Sequence, residues 1–257
     1  AKERFVSRYG IRSPYWQQHP DVQASYVALL KGHLLDLAKY YHALAQRSKK
    51  PSDYSKPASW YQEYLATPPA GPENVDINNL YAQSLFSAER YAEAVTEFER
   101  TAYQYSSTTT DSSPTPQQLA QKTQLSAEAA YFALVAYQKH MAVLPNKSDD
   151  DKTQLTEWRD RRINSSLKFA ATFPQHDKVP SVLYNVIEDQ LANGDKEAAV
   201  RTAGVLVNRQ PPPEEKLLVY GWSTIANGEF DLGRFQVAEF GYKQLLQYPS
   251  ITAQERS

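Results

Sequence analysis

The chain has 257 residues, 41% of them hydrophobic, and a mean hydropathy of -0.62. It can bury a large core, but it has no apolar stretch near the ~20 residues that a membrane-spanning helix needs. Lys and Arg number 28 against 29 Asp and Glu, a net charge of -1 with no dense basic run, which argues against nucleic acid or an anionic membrane as a partner, since both are held by concentrated positive charge. The absence of cysteine excludes disulfides, thiolate catalysis and Cys-ligated zinc, and suits an oxidising periplasmic or envelope compartment, with the cytoplasm as the alternative.

The first residues, Ala1 to Phe5, lack both Met and an apolar signal core, so the sequence reads as a mature or excised fragment, with residues 1–20 as an N-terminal extension or cap. From there, apolar and aromatic residues recur at three- and four-residue spacing over 22–48, 75–105, 117–142, 153–173, 180–209 and 214–248, which predicts helices. Breakers separate them: Pro51, Pro68-Pro69, Gly71-Pro72, the Ser/Thr/Pro-rich residues 106–116, Pro145, Pro174, Pro211-Pro212-Pro213 and Pro249. The acidic run Asp149-Asp150-Asp151 reads as a solvated loop.

The helices also repeat. Trp222, Ile225, Ala226, Gly233, Phe235, Ala238, Tyr242, Leu245 and Pro249 follow one another in an order that is echoed upstream. One echo runs through Leu80-Tyr81-Ala82, then Tyr91 to Val95 and Phe98; another runs through Val186-Ile187, Gly194, Ala199 and Pro211. A fourth, with Tyr41, Leu44, Ala45, Tyr61 and Pro69, carries Pro57 where a packing alanine is expected, which a helix tolerates only if it begins at or just before that residue. Small residues (Ala45, Ala82 and Ala226 on first helices; Ala94, Ala199 and Ala238 on second helices) predict closely approaching helix pairs.

This pattern resembles the tetratricopeptide (TPR) motif, and the stretches "DYSKPASWYQEYLATPP" and "LYAQSLFSAERYAEAVTEFERTAYQYSS" also resemble segments of large bacterial cell-envelope repeat proteins. The resemblance implies an all-α, right-handed α-solenoid of stacked antiparallel hairpins over residues 21–257. It would hold about four to five units, at approximately 22–69, 75–105, 117–174, 180–211 and 214–249, each unit somewhat longer than the family's ~34 residues.

No sequence motif for metal, nucleotide, other cofactor or nucleophile chemistry is present, and His19, His33, His42, His140 and His176 are scattered without HExxH spacing. Glu188-Asp189 and Glu214-Glu215 are the adjacent carboxylates that could be imagined as an acid–base pair; Glu214-Glu215, following three prolines, reads more simply as helix first-turn acid. The chain is therefore expected to be no enzyme and to need no cofactor.

The family carries its partner on an inner surface formed by first helices. The positions that match here are Lys39, His42 and Gln46; Asp76, Asn79, Gln83 and Phe86; Ser181, Tyr184, Glu188 and Leu191; and Tyr220, Ser223, Asn227 and Phe230. His42, Gln46 and Leu80 stand where a chaperone-type carboxylate clamp would need Lys and Asn, which argues against that specialisation. The expected role is a protein-interaction scaffold gripping a peptide or protein segment. The alternatives are a glycan- or peptidoglycan-associated module, since aromatic platforms with Asn and Gln also suit sugars, or a spacer or oligomerisation segment in which copies of the chain pair.

Overall fold

A computed structural model describes residues 1–21, 23–105 and 115–251. It is all-α: among the described residues there are twelve α-helices and no strand. Contacts divide the chain into two units, Ala1–Leu144 and Pro145–Ser257. The division falls inside the expected repeat 117–174, between its two helices. The insertion expected at 106–116 lies almost wholly outside the described residues.

The first unit contains α1 (Lys2–Tyr9), α2 (Pro14–Gln18), α3 (Gln23–Ser48), a 3₁₀ turn (Pro51–Tyr54), α4 (Ser55–Ala66), α5 (Asn74–Ser87), α6 (Tyr91–Glu99), a π turn (Arg100–Gln104) and α7 (Pro116–Val143). From α3 onward each helix packs against its neighbour in the chain. Pro57 is the third residue of α4, within the first turn, where its missing N–H has no helical partner to lose. The extension at residues 2–18 forms α1 and α2, and α1 lies on α3. Val6 is buried, Phe5 meets His33 edge-on at 4.9 Å, and Glu3 accepts from Tyr41 Oη at 2.7 Å and pairs with Lys56 at 2.9 Å.

The second unit contains α8 (Asp149–Thr172), α9 (Val179–Ala192), α10 (Lys196–Val207), α11 (Glu215–Asp231) and α12 (Phe235–Leu245), again packed in chain order, with α9 also touching α11. The acidic run is a helix start and not a loop. Asp149, Asp150 and Asp151 form the first turn of α8, the first two exposed, and Ser148 and Asp151 cap each other's backbone N–H, at 3.1 and 2.9 Å. The spacing Ser-x-x-Asp is the signal that marks such a start, and acid there suits the positive end of the helix dipole. The α8–α9 junction is clamped by Arg162, whose guanidinium bonds the buried Asp189. That bond carries Asp189 away from Glu188, so the two adjacent carboxylates do not work together. Glu215 lies in the first turn of α11 and accepts from the Ser250 N–H at 3.3 Å.

One turn is used three times. Between α5 and α6, α9 and α10, and α11 and α12, three residues reverse the chain, and the middle one has positive φ: Glu89 at 61°, Gly194 at 76° and Gly233 at 75°. The closing hydrogen bonds match as well. Arg90 N bonds Leu85 O at 2.9 Å, Asp195 N bonds Gln190 O at 2.9 Å, and Arg234 N bonds Glu229 O at 2.8 Å, each a six-to-one Schellman closure. Glycine supplies positive φ without a Cβ clash; Glu89 does so at a cost of about 1–2 kcal/mol.

Candidate functional site

In α9, Val182, Leu183, Val186 and Ile187 face the core, which turns Tyr184, Glu188 and Leu191 outward. In α11, Thr224, Ile225, Ala226 and Gly228 are buried while Asn227 is exposed. The helices stand close because α11 is thinned toward α10: a Cβ on Gly228 would lie 2.4 Å from Val200 Cγ2, and one on Gly221 2.6 Å from Val207 Cγ1. What remains between α9, α11 and the start of α10 is a cleft of about 270 Å³, lined by Glu188, Leu191, Val200, Tyr220, Ser223 and Asn227 among others.

One end of the cleft is closed by the Lys196–Asp231 ion pair. Toward the other, the Tyr184 and Tyr220 rings pack at 4.5 Å between centroids, and the Tyr220 hydroxyl donates to Glu188. Burial, and then that bond to an anion, push the Tyr220 phenol well above its ordinary range, so it remains a donor. Asn227 Oδ1 accepts from Tyr242 Oη at 2.7 Å, which fixes the amide and leaves its NH₂ to donate. The site thus offers a carboxylate, an amide, a Ser223 hydroxyl and an apolar floor of Leu191 and Val200.

Of the expected inner-face residues, Tyr184, Glu188, Leu191, Tyr220, Ser223 and Asn227 come together here. Phe230 does not line the cleft; it is 55% exposed and meets Phe235 edge-on at 5.4 Å. Ser181 is exposed, and its hydroxyl bonds the Lys178 carbonyl at the start of α9.

In the first unit Lys39, Gln46 and Asp76 are exposed, and Asn79 and Gln83 are half-buried. Phe86 is also half-buried, packed on Tyr91 and Phe98 inside its own hairpin. His42 corrects its expected place on the inner face. It is 8% exposed, its Nδ1 is 3.2 Å from Tyr61 Oη, and desolvation holds the imidazole below its usual pKa of 6.5, so it is a neutral packing residue of the α3–α4 pair. It meets the Tyr61 ring of α4 edge-on at 5.8 Å, on the side of α3 that packs against that helix.

Lys196, Val200 and Asp231 were not anticipated at the site. Lys196 and Asp231 are 35 residues apart, one repeat, and that spacing of opposite charges at two hairpin ends is the signal that could have found them. Among the described residues no group of three or more His, Asp or Glu side chains could hold a metal ion, and no helix is long and apolar enough to cross a membrane.

No protein-family model matches the chain, and no curated protein does. Among solved structures it is similar to the crystal structure of BtubC (BKLC) from P. vanneervenii, at 17% identity and a TM-score of 0.40, over 96% of this chain and 90% of that one, a likeness that assigns neither fold family nor function.

Proposed function

We propose that the chain is a TPR-like array, its hairpins stacked as a right-handed solenoid, and that it acts as a non-catalytic scaffold holding an extended or helical segment of another protein in the α9–α11 cleft. The observation that carries this reading is the convergence on one cleft of the first-helix positions that the repeat register assigns to the inner face. The recurring Schellman turn supports the array, as do polar contacts between hairpins at a near-constant separation. Arg159 bonds Asn193 34 residues on, Lys196 bonds Asp231 35 on, and Glu197 pairs with Arg234 37 on, close to the ~34-residue family period. The cleft's mix of aromatic, amide and carboxylate groups suits a peptide whose backbone is bonded by Asn227 and Ser223 and whose apolar side chain enters between Tyr220 and Val200.

Peptides selected from a displayed random library against the full chain test the idea, with affinities measured by fluorescence anisotropy. Tyr220→Ala with Asn227→Arg should weaken binding at least ~tenfold, as loss of a central aromatic anchor does, whereas Phe230→Ala should leave it unchanged. Selected peptides that bind the double variant as tightly as the parent would refute a role for the cleft.

A further inference from the structure

The second helices α10 and α12 share a register in which each α10 residue corresponds to the α12 residue 39 positions later, set by the buried pair Ala199 and Ala238. On α10, Lys196, Val200, Ala203 and Val207 form the stripe facing α11. Lys196 pairs with Asp231, Val200 and Val207 sit against Gly228 and Gly221, and the Ala203 carbonyl lies beside Gly221. Their counterparts on α12 are Phe235, Glu239, Tyr242 and Leu246, the last at the helix C-cap. Spacings of four, three and four keep these on one helix face, separate from the buried stripe Ala238, Gly241 and Leu245. Here the stripe meets only its own hairpin, Phe235 against Phe230 and Tyr242 through its hydroxyl to Asn227, and it remains largely exposed: Phe235 is 61%, Tyr242 40% and Leu246 53% exposed. So much apolar surface, on the face that the neighbouring hairpin buries on a helix, calls for a partner helix.

The spacing of the stripe, four, three and four, is the same in both directions. Turned end for end about its centre, Phe235 falls on Leu246 of a second copy, and Glu239 falls beside Tyr242 with Lys243 next to it. Glu239 and Lys243 pair at 2.6 Å within the helix, and the same two charges can exchange partners across a two-fold axis. We propose that α12 is a self-association surface on which two copies of this chain pair antiparallel, apolar ends outward and opposite charges crossed at the centre. A contact limited to an eleven-residue helix stays below the ~1,200–2,000 Å² of a standard interface, so the dimer is weak and concentration-dependent.

Sedimentation velocity on the full chain over a concentration series reads this directly, with circular dichroism verifying the fold of each variant. The parent should shift from monomer to dimer mass as concentration rises. Phe235→Glu with Leu246→Glu should raise the dissociation constant at least ~tenfold, both side chains being more than half exposed and so dispensable to the monomer. Glu239→Lys and Lys243→Glu should each weaken the dimer by setting like charges opposite one another, and the double swap should restore it. A parent that stays monomeric at its highest soluble concentration overturns the proposal. So does a dimer that persists in the Phe235→Glu, Leu246→Glu variant, or a double charge swap no tighter than either single one.

Discussion

The α5–α6 and α11–α12 hairpins close with the same turn and cross in opposite ways. In α5–α6 the crossing is polar. Asn78, fully buried, donates to the Glu97 carbonyl at 2.8 Å and to Thr101 Oγ1 at 3.0 Å, and Thr101 donates to the same carbonyl at 3.0 Å. With the Glu97 carbonyl engaged by side chains, the following residues, Arg100–Gln104, take up a π turn, the usual response to a group inserted in the helical ladder. In α11–α12 the crossing is bare. Gly241, the counterpart of Glu97, brings its backbone onto Ala226, so that a Cβ there would lie 3.0 Å from the Ala226 Cα, and Trp222 stands where α5 has Asn78. One crossing is specified by hydrogen bonds and the other by the absence of side chains, so they should fail differently.

The largest expected effects are a mirrored pair of substitutions. Gly241→Val should overpack the α11–α12 crossing and destabilise it by ~1–3 kcal/mol. Asn78→Ala should cost a similar ~1–3 kcal/mol in α5–α6 by withdrawing a buried donor from two acceptors. Hydrogen exchange should report each loss in its own hairpin, and protection lost equally in both would end the comparison.

Smaller effects are expected at the shared turn. Glu89→Gly should stabilise the chain by up to ~1 kcal/mol and Gly194→Ala should destabilise it by ~1 kcal/mol, because the same positive φ is strained in one case and free in the other. Thermal melts that move in the same direction for both would contradict that account.

The smallest effect depends on pH. Burial raises the Glu97 carboxyl above its ordinary 4.5, with Arg100, bonded to it at 2.8 Å, opposing the shift. A carboxyl with a higher pKa folded than unfolded binds more protons in the folded state. Its contribution therefore favours folding as pH falls toward 4.5 and is lost as pH rises above the folded value. The parent should gain stability relative to Glu97→Gln as pH is lowered from neutral. A stability difference between the two that is flat with pH would mean that the group titrates as it does in the unfolded chain.

The helices and their breaks were legible because periodic apolar residues and Pro carry them locally; Asn74–Ser87, Lys196–Val207 and Glu215–Asp231 fall within or close to the expected segments. Tyr184, Glu188, Tyr220 and Asn227, which now stand together at the cleft, were named only through the resemblance to the TPR motif, whose first-helix positions they match. His42 was misread because facing direction on a 26-residue helix depends on which neighbour it packs against, a fact of tertiary contact. Asn78 passed unnoticed because an amide gives no periodic signal; its meaning lies in the Glu97 carbonyl, 19 residues away. Lys196 and Asp231 were missed because their 35-residue spacing gains meaning only when two hairpins are laid side by side.

The threefold turn has an evolutionary consequence. Its geometry rests on main-chain hydrogen bonds and on one residue's tolerance of positive φ, so almost every other position in a hairpin can mutate without altering how the chain reverses. A gene segment encoding one such hairpin can be duplicated in frame and still fold, and its outward-facing residues are then free to drift toward a new ligand while the old copy keeps the old one. The Glu89 turn marks how far such drift could go: the chain reverses as it does at Gly194 and Gly233, with a side chain in place of the glycine.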